Sequence, residues 1–294
     1  MSDMGLGQIL ARAKQRLNRN LNIGHSPSAF GFEDIRPIGN SQGSSIANKA
    51  GRIVLRARHK GQTVKIYEAF SPEHAQFILA VSAKLPDLFP RVLEVRDAWI
   101  VTEWIEGQRL AEDIGYHQIK VLRRIHGVAV EGLPPAGFCY IKDFILPRCR
   151  RAMSLAATQE KIDFRCLEID NGATCTTVMH PDISPNNLVR TPEGEIKCID
   201  NELLCFGSAP LLDFCNAVRN MPKDQRDEAA KKWLSVSSTT SQMIENTAKL
   251  WILREAGAAF TKGDFTHSSR MIADLERCAE RWLPFPAHMA RGSE

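Results

Sequence analysis

A chain of 294 residues, 44% hydrophobic and 24% charged, is long enough to bury a sizeable core as one large domain or as two lobes. Its formal charge of +4 permits an anionic partner such as a nucleotide, but falls short of the basic balance of a nucleic-acid binder, so no nucleic-acid partner is expected. The sequence holds no run of about 18 apolar residues and no apolar core near its start, so neither a transmembrane helix nor an export signal is predicted.

The eight cysteines form no C-x-x-C pair and show no metal-ligand spacing. Several sit among apolar neighbours, such as Cys198 in IKCID and Cys215 in DFCNAV. They read as buried, reduced thiols of a cytoplasmic protein.

In chain order, residues 6–21 place Ile9, Leu10, Ala13, Leu17 and Leu21 at helical spacing, with Arg and Lys on the other side. Such a helix either caps the first domain or touches anionic lipid. FEDIRPI then leads into the turn-rich GNSQGSS, and GRIVLRARHKGQTVKIY predicts two strands joined by a tight turn, His59–Gln62, containing Gly61. SPEHAQFILAVSAKL predicts a helix with Ser71 as N-cap, Pro72 at its first position and Glu73 in its first turn. RVLEV and AWIVTEWI follow as another hairpin. The order strand–strand–strand–helix–strand–strand predicts an antiparallel sheet with one helix.

After EGQRL the composition turns helical. One helix carries Ile114, Ile119, Leu122, Ile125 and Val128, and DFILPRCRRAMSLAATQEKIDFRCLEI is a second helical region. Residues 211–285 again have helical character, with Trp233, Trp251 and Trp282 as candidate core residues. The expected division is a small β-rich lobe, residues 1–104, and a larger helical lobe, residues 105–294. The fold class is therefore α+β and bilobal.

HPDISPNN, residues 180–187, interrupts the helical lobe and sets His180, Asp182 and two asparagines between apolar segments. Asp and Asn favour turns over strands, so these residues are predicted on a short loop with a rigid base. The following TPEG has Pro at its second position and Gly at its fourth, as a tight turn requires. A hairpin closed there would bring Asn187 and Asp200 to neighbouring strand ends.

HPDISPNN followed by IKCID resembles the catalytic loop and metal-binding aspartate of the aminoglycoside phosphotransferase/choline kinase family. That family writes H-G-D-x-x-x-x-N and then, after a short hairpin, I-D-W/F-E. GSAPLLDF is similar to the family's G-D-P-x-x-D-L segment, and the likeness runs over roughly residues 35–220. It implies a protein-kinase-like fold and a cofactor set of ATP and Mg2+, with phosphate moving to a hydroxyl of a small molecule. Asp182 is then the catalytic base, beside the attacking hydroxyl, and Asn187 and Asp200 are the metal ligands, hard oxygens of the kind magnesium takes. His180 supports the loop, Asp213 holds it through backbone N–H groups, and Glu202 is a further carboxylate near the metal.

The same resemblance makes Lys65 in TVKIY the lysine that grips nucleotide phosphates, with Glu73 or Glu68 as its partner. IGNSQGSS lies where the phosphate-covering loop belongs, which gives roles to Ser44 and Ser45. VTEWIEG resembles the hinge, where Glu103 to Ile105 would present backbone groups to adenine.

The pattern departs from the family at Pro181, in place of Gly, and at Asn201, in place of an aromatic residue. The H-R-D arginine of protein kinases and recognisable D-F-G and A-P-E elements are absent, which favours small-molecule over protein phosphorylation. A protein kinase acting on a macromolecule and a nucleotide-binding pseudokinase remain the alternatives. Arg148, Arg150 and Arg151 read either as a solvated helix face or as charge for an anionic acceptor.

Overall fold

The computed structural model describes residues 31–38, 54–110, 116–147, 177–207, 209–235, 240–275 and 277–286. The leading helix at 6–21, the serines 44 and 45, Ile114 and the arginines 148, 150 and 151 lie outside the described residues.

The first elements in chain order are β1 (Phe32–Pro37), β2 (Val54–His59), β3 (Gln62–Glu68), α1 (Pro72–Lys84), β4 (Val92–Arg96), β5 (Trp99–Glu103) and β6 (Gln108–Arg109). Next come α2 (Tyr116–His126), a π-helical turn (Tyr140–Ile145), β7 (Thr177–Met179), a 3-10 turn (Pro185–Asn187), β8 (Leu188–Arg190), β9 (Ile196–Cys198) and β10 (Cys205–Gly207). The described chain closes with α3 (Pro210–Val218), α4 (Lys223–Leu234), α5 (Ser241–Thr261), α6 (Phe265–Ala273) and a 3-10 turn (Ala279–Trp282).

The described residues fall into two compact units. The first takes the residues up to Gln108 together with Gly132–Gly137 and Val189–Glu202. The second takes Arg109–Glu131, Phe138–Leu188 and the residues from Leu203 onward.

The first unit is built on a five-stranded sheet of order β1-β2-β3-β5-β4, with every pair antiparallel. The β2–β3 turn closes on the pair His59↔Gln62, with Lys60 at φ 49° and Gly61 at φ 77°. Two positive values in succession match the right-handed twist of the strands, and Gly61 adopts its value without a Cβ penalty.

Alternation along β3 divides its side chains between two faces. Val64 and Ile66 join Phe32, Leu55, Ala57, Trp99 and Val101 in one buried cluster. Lys65 and Tyr67 face the other way, opposite Thr102 and Ile100 of β5. Helix α1 packs against β4 and β5 and buries Phe77, Ile78 and Val81.

Its N-cap is Ser71, whose Oγ accepts the His74 N–H at 3.1 Å, and Pro72 stands in its first turn. Gly137, at φ 58°, comes so close that a Cβ there would lie 2.6 Å from Ser71 Oγ and 2.8 Å from His74 N. The β8–β9 hairpin turns through Thr191–Gly194, where the Gly194 N–H donates to Thr191 O at 2.9 Å. Its end is fastened by the Cys198 N–H, which donates to Leu88 O at 2.8 Å.

The second unit is mainly helical, with a small β7–β10 ladder. Ile119, Leu122, Ile125 and Val128 are buried, as their spacing predicts. Trp233 stacks on Phe214 with ring centroids 5.0 Å apart, and Trp251 is also buried. Trp282 is only half-buried because its indole N–H reaches Asp274 at 2.8 Å near the surface. Among the described cysteines all are free thiols; 198, 205 and 215 are buried, while 278 is exposed. Among the described residues no helix is long and apolar enough to cross a membrane.

Candidate active site

In the first unit, Lys65 is the centre of a compact charge cluster. Its Nζ lies 2.8 Å from Asp200 Oδ1 and 2.7 Å from Glu202 Oε1, and donates to Ile199 O at 3.0 Å. The ammonium also stands 5.0 Å from the Tyr67 ring centroid, as residues two apart on one strand face allow. The carboxylate partners of Lys65 are thus Asp200 and Glu202, and neither Glu73 nor Glu68 is among them. Glu73 is exposed in the first turn of α1, where the backbone and Ser71 hold its carboxyl below the ordinary value.

Burial by itself would lower the Lys65 pKa; the adjacent Asp200 and Glu202 carboxylates outweigh it and hold the ammonium above its usual range. Burial, followed by repulsion from Asp200, pushes Glu202 up to about 8 against the pull of Lys65. Two carboxylates about one ammonium leave an excess negative charge, and a proton on Glu202 relieves it.

Glu103 to Ile105, which the family resemblance makes a hinge, belong to the same unit. The Glu103 N–H donates to Arg91 O at 3.0 Å, and the Trp104 N–H donates to Thr63 O at 3.2 Å. The Glu103 carboxylate in turn accepts the Arg91 N–H at 2.8 Å. Both amide donors are therefore engaged by the sheet. Ile105 has no such backbone bond among the described residues, which leaves its N–H for another acceptor.

In the second unit the residues of HPDISPNN follow β7 and close into the 3-10 turn. Asn187 reaches back over a separation of five residues, its amide nitrogen 2.7 Å from Asp182 O and 3.3 Å from Asp182 Oδ2. With the nitrogen held in this way, the amide oxygen remains as an uncharged hard ligand atom. Asn187 lies in the second unit and Asp200 in the first.

The base of the loop is buried. The His180 N–H donates to Asp213 Oδ2 at 2.6 Å, and the same oxygen lies 3.0 Å from His126 Nε2. Both His180 and Asp213 are fully buried. A carboxylate on α3 thereby fixes the first residue of the loop, and His126 on α2 completes the contact.

A second anchor has no family motif behind it. Asn216, one turn beyond Asp213 on α3, donates its amide to Ile183 O at 3.1 Å. Its oxygen accepts from Arg254 Nη2 at 2.5 Å, and Arg254 Nε donates to the Tyr140 hydroxyl at 3.2 Å. Arg254 also pairs with Glu255. Sequence reasoning overlooked this set, although one signal was present: Arg254 interrupts the apolar run LWILREAGAA, and arginine is rarely buried without partners.

No protein-family model matches the sequence, and no curated protein matches it. Solved structures do. Choline kinase LicA from Streptococcus pneumoniae is 13% identical, with a TM-score of 0.53 over 90% of this chain and 99% of that one. The same protein is also known in complex with AMP. A choline/ethanolamine kinase family protein from Mesorhizobium loti is 13% identical, with a TM-score of 0.51 over 97% of this chain and 100% of that one. A putative fructosamine-3-kinase from Thermobifida fusca is 15% identical, with a TM-score of 0.51 over 91% of this chain and 98% of that one. The chain therefore has the protein-kinase-like fold of these small-molecule kinases, an α+β architecture in line with the resemblance read from its catalytic-loop motif.

Proposed function

We propose that this protein is a kinase that moves the terminal phosphate of ATP to a hydroxyl of a small molecule. The observation that carries the reading is the ion pair of Lys65 with Asp200 at 2.8 Å. Two motifs 135 residues apart, each assigned to phosphate handling on its own, meet within one unit. The structural neighbours support it further, since those reported above are named as kinases of small molecules.

Phosphoryl transfer asks the protein for positioning and charge neutralisation more than for covalent chemistry. The acceptor's hydroxyl oxygen attacks the terminal phosphorus, and its proton passes to a carboxylate oxygen of Asp182. The bond from phosphorus to the bridging oxygen breaks, and ADP leaves with that electron pair. Asn187 orients Asp182 through the two contacts of its amide nitrogen. Lys65 neutralises phosphate charge, and the Ile105 N–H is the hinge donor left for the base. By donor chemistry, the Asn187 amide oxygen in one unit and the Asp200 carboxylate in the other are each the kind of hard oxygen that magnesium takes. Bound there, it would neutralise charge on the transferring phosphate.

The test is ADP release with magnesium and ATP over a library of alcohols. Asp182→Ala is expected to lower kcat by about 10²- to 10⁴-fold with the apparent KM for ATP moved only a few-fold. Retention of turnover within a few-fold would remove Asp182 as the base. Magnesium-dependent ATP binding with no transfer to any hydroxyl would leave a nucleotide-binding module. Label from ATP entering only protein in an extract would point to a protein kinase.

A further inference from the structure

Two guanidinium groups stand near the catalytic loop, and they are not equivalent. Arg254 is buried and fully engaged by the Tyr140 hydroxyl, the Asn216 amide oxygen and Glu255. Arg219, at the C-terminal cap of α3, has among the described residues only a distant contact, Nη1 to Glu255 Oε1 at 3.7 Å. Its Nε is sealed from water and donates to nothing among the described residues. A buried guanidinium N–H without an acceptor is costly, and an ordered water, an ion or a ligand is what completes such a group.

The position of Arg219 favours a ligand over a structural partner. It follows Asn216 by one helical turn, and Asn216 holds the carbonyl of Ile183, the residue next to Asp182. Asp182 also acts on the charges of both Arg219 and Arg254, so the pair lies within electrostatic reach of the proposed base. The Arg219 side chain is 31% exposed although its Nε is enclosed. Burial and then the like charge of Arg254 lower its pKa against the pull of Glu255 and Asp182, and a bound anion would offset the lowering by its charge.

We propose that the acceptor alcohol carries its own anionic group, a carboxylate or a phosphate, and that Arg219 binds that group. The proposal rests on the phosphotransfer reading above and names the substrate class of the same site. A planar guanidinium offers two parallel donors that match the paired oxygens of either group. A cationic acceptor would meet the Arg219 guanidinium instead and be disfavoured there.

Matched alcohols separate the alternatives, each assayed by ADP release with ATP and magnesium. One set is glycerol, glycerate and glycerol 3-phosphate; another is glucose, gluconate and glucose 6-phosphate; choline and kanamycin supply cationic acceptors. An anionic member is expected to exceed its neutral counterpart in kcat/KM by at least about tenfold, and the carboxylate and phosphate arms tell the two anions apart. Arg219→Gln should raise the KM for that anionic acceptor by about ten- to a hundredfold and lower kcat far less, as loss of a charge-assisted contact implies. The apparent KM for ATP and the melting temperature serve as folding controls. If Arg219→Gln does not fold, Arg219→Lys, which keeps the charge and loses the planar fork, carries the same comparison.

Preference for a neutral or cationic member, abolished by Asp182→Asn, would overturn the anionic acceptor and leave phosphotransfer standing. An unchanged acceptor KM in the Arg219 variant would overturn the role of that residue. If no compound gives Asp182-dependent ADP release, both readings fail together.

Discussion

The residues assigned from the motif separate into those whose neighbours were legible and those whose neighbours were not. Asp182 and Asn187 are five apart, and a single loop brings them together. Lys65 is different: its carboxylate partners come from about 135 positions downstream, while the nearer Glu73 sits exposed at the start of α1. Local sequence offered Glu73 because it is close along the chain, and the sheet face chosen by strand alternation decided otherwise. The same cluster predicts a pH dependence. A carboxyl whose folded pKa is raised binds its proton more tightly when folded, so its contribution is complete below the ordinary value of 4.5 and is lost as pH climbs through about 8. With EDTA and no nucleotide, the wild type should therefore lose stability relative to Glu202→Gln between about pH 5 and about pH 8.5. The expected loss is on the order of a few kcal/mol, read from urea unfolding. A difference that stays flat or reverses would mean that Glu202 is ionised throughout.

Among the elements, the sheet of the first unit was the most readable. β2 and β3 alternate apolar and polar residues about a turn that needs positive φ, and α1 announces itself with Ser71 and Pro72. What fastens α1 to the rest of its unit was not readable. Gly137 is a loop residue in the sequence, yet in the fold its backbone lies against the first turn of α1, and Ser71 Oγ donates to Gly137 O at 3.4 Å. Gly137→Ala would force a Cβ into that turn at positive φ and disturb the Ser71 cap. A loss of about 2–4 kcal/mol is expected, combining left-handed strain with a lost cap. A denaturation midpoint equal to that of the wild type would show that the contact gives way freely. Helix α3 teaches the same lesson from the other unit. Asp213 was visible as a motif residue, but its use of one oxygen for both His180 and His126 depends on α2, far away in sequence.

At the scale of the molecule, neither unit is a continuous stretch of chain. Residues 132–137 and 189–202 belong with the first unit although long parts of the second separate them from it. A fragment ending at Gln108 would leave Lys65 buried without Asp200 and Glu202, and Leu88 O without the Cys198 N–H. Breaking a buried ion pair by removing one side costs about 3–5 kcal/mol, a large part of the stability of a small unit. That fragment is expected to show no cooperative thermal transition by circular dichroism, and a sharp one would refute the dependence. The sequence by itself determined the strands and α1 of the first unit and the loop that carries Asp182 and Asn187, because these follow from short-range periodicity and turn residues; the kinase chemistry came as what a family resemblance implies. Only the tertiary structure decided which carboxylates hold Lys65, which backbone amides of Glu103–Ile105 the sheet engages, and how differently Arg219 and Arg254 are paired among the described residues. Each of those answers depends on groups distant in sequence, and pairing at that range is settled by packing and desolvation rather than by local preference.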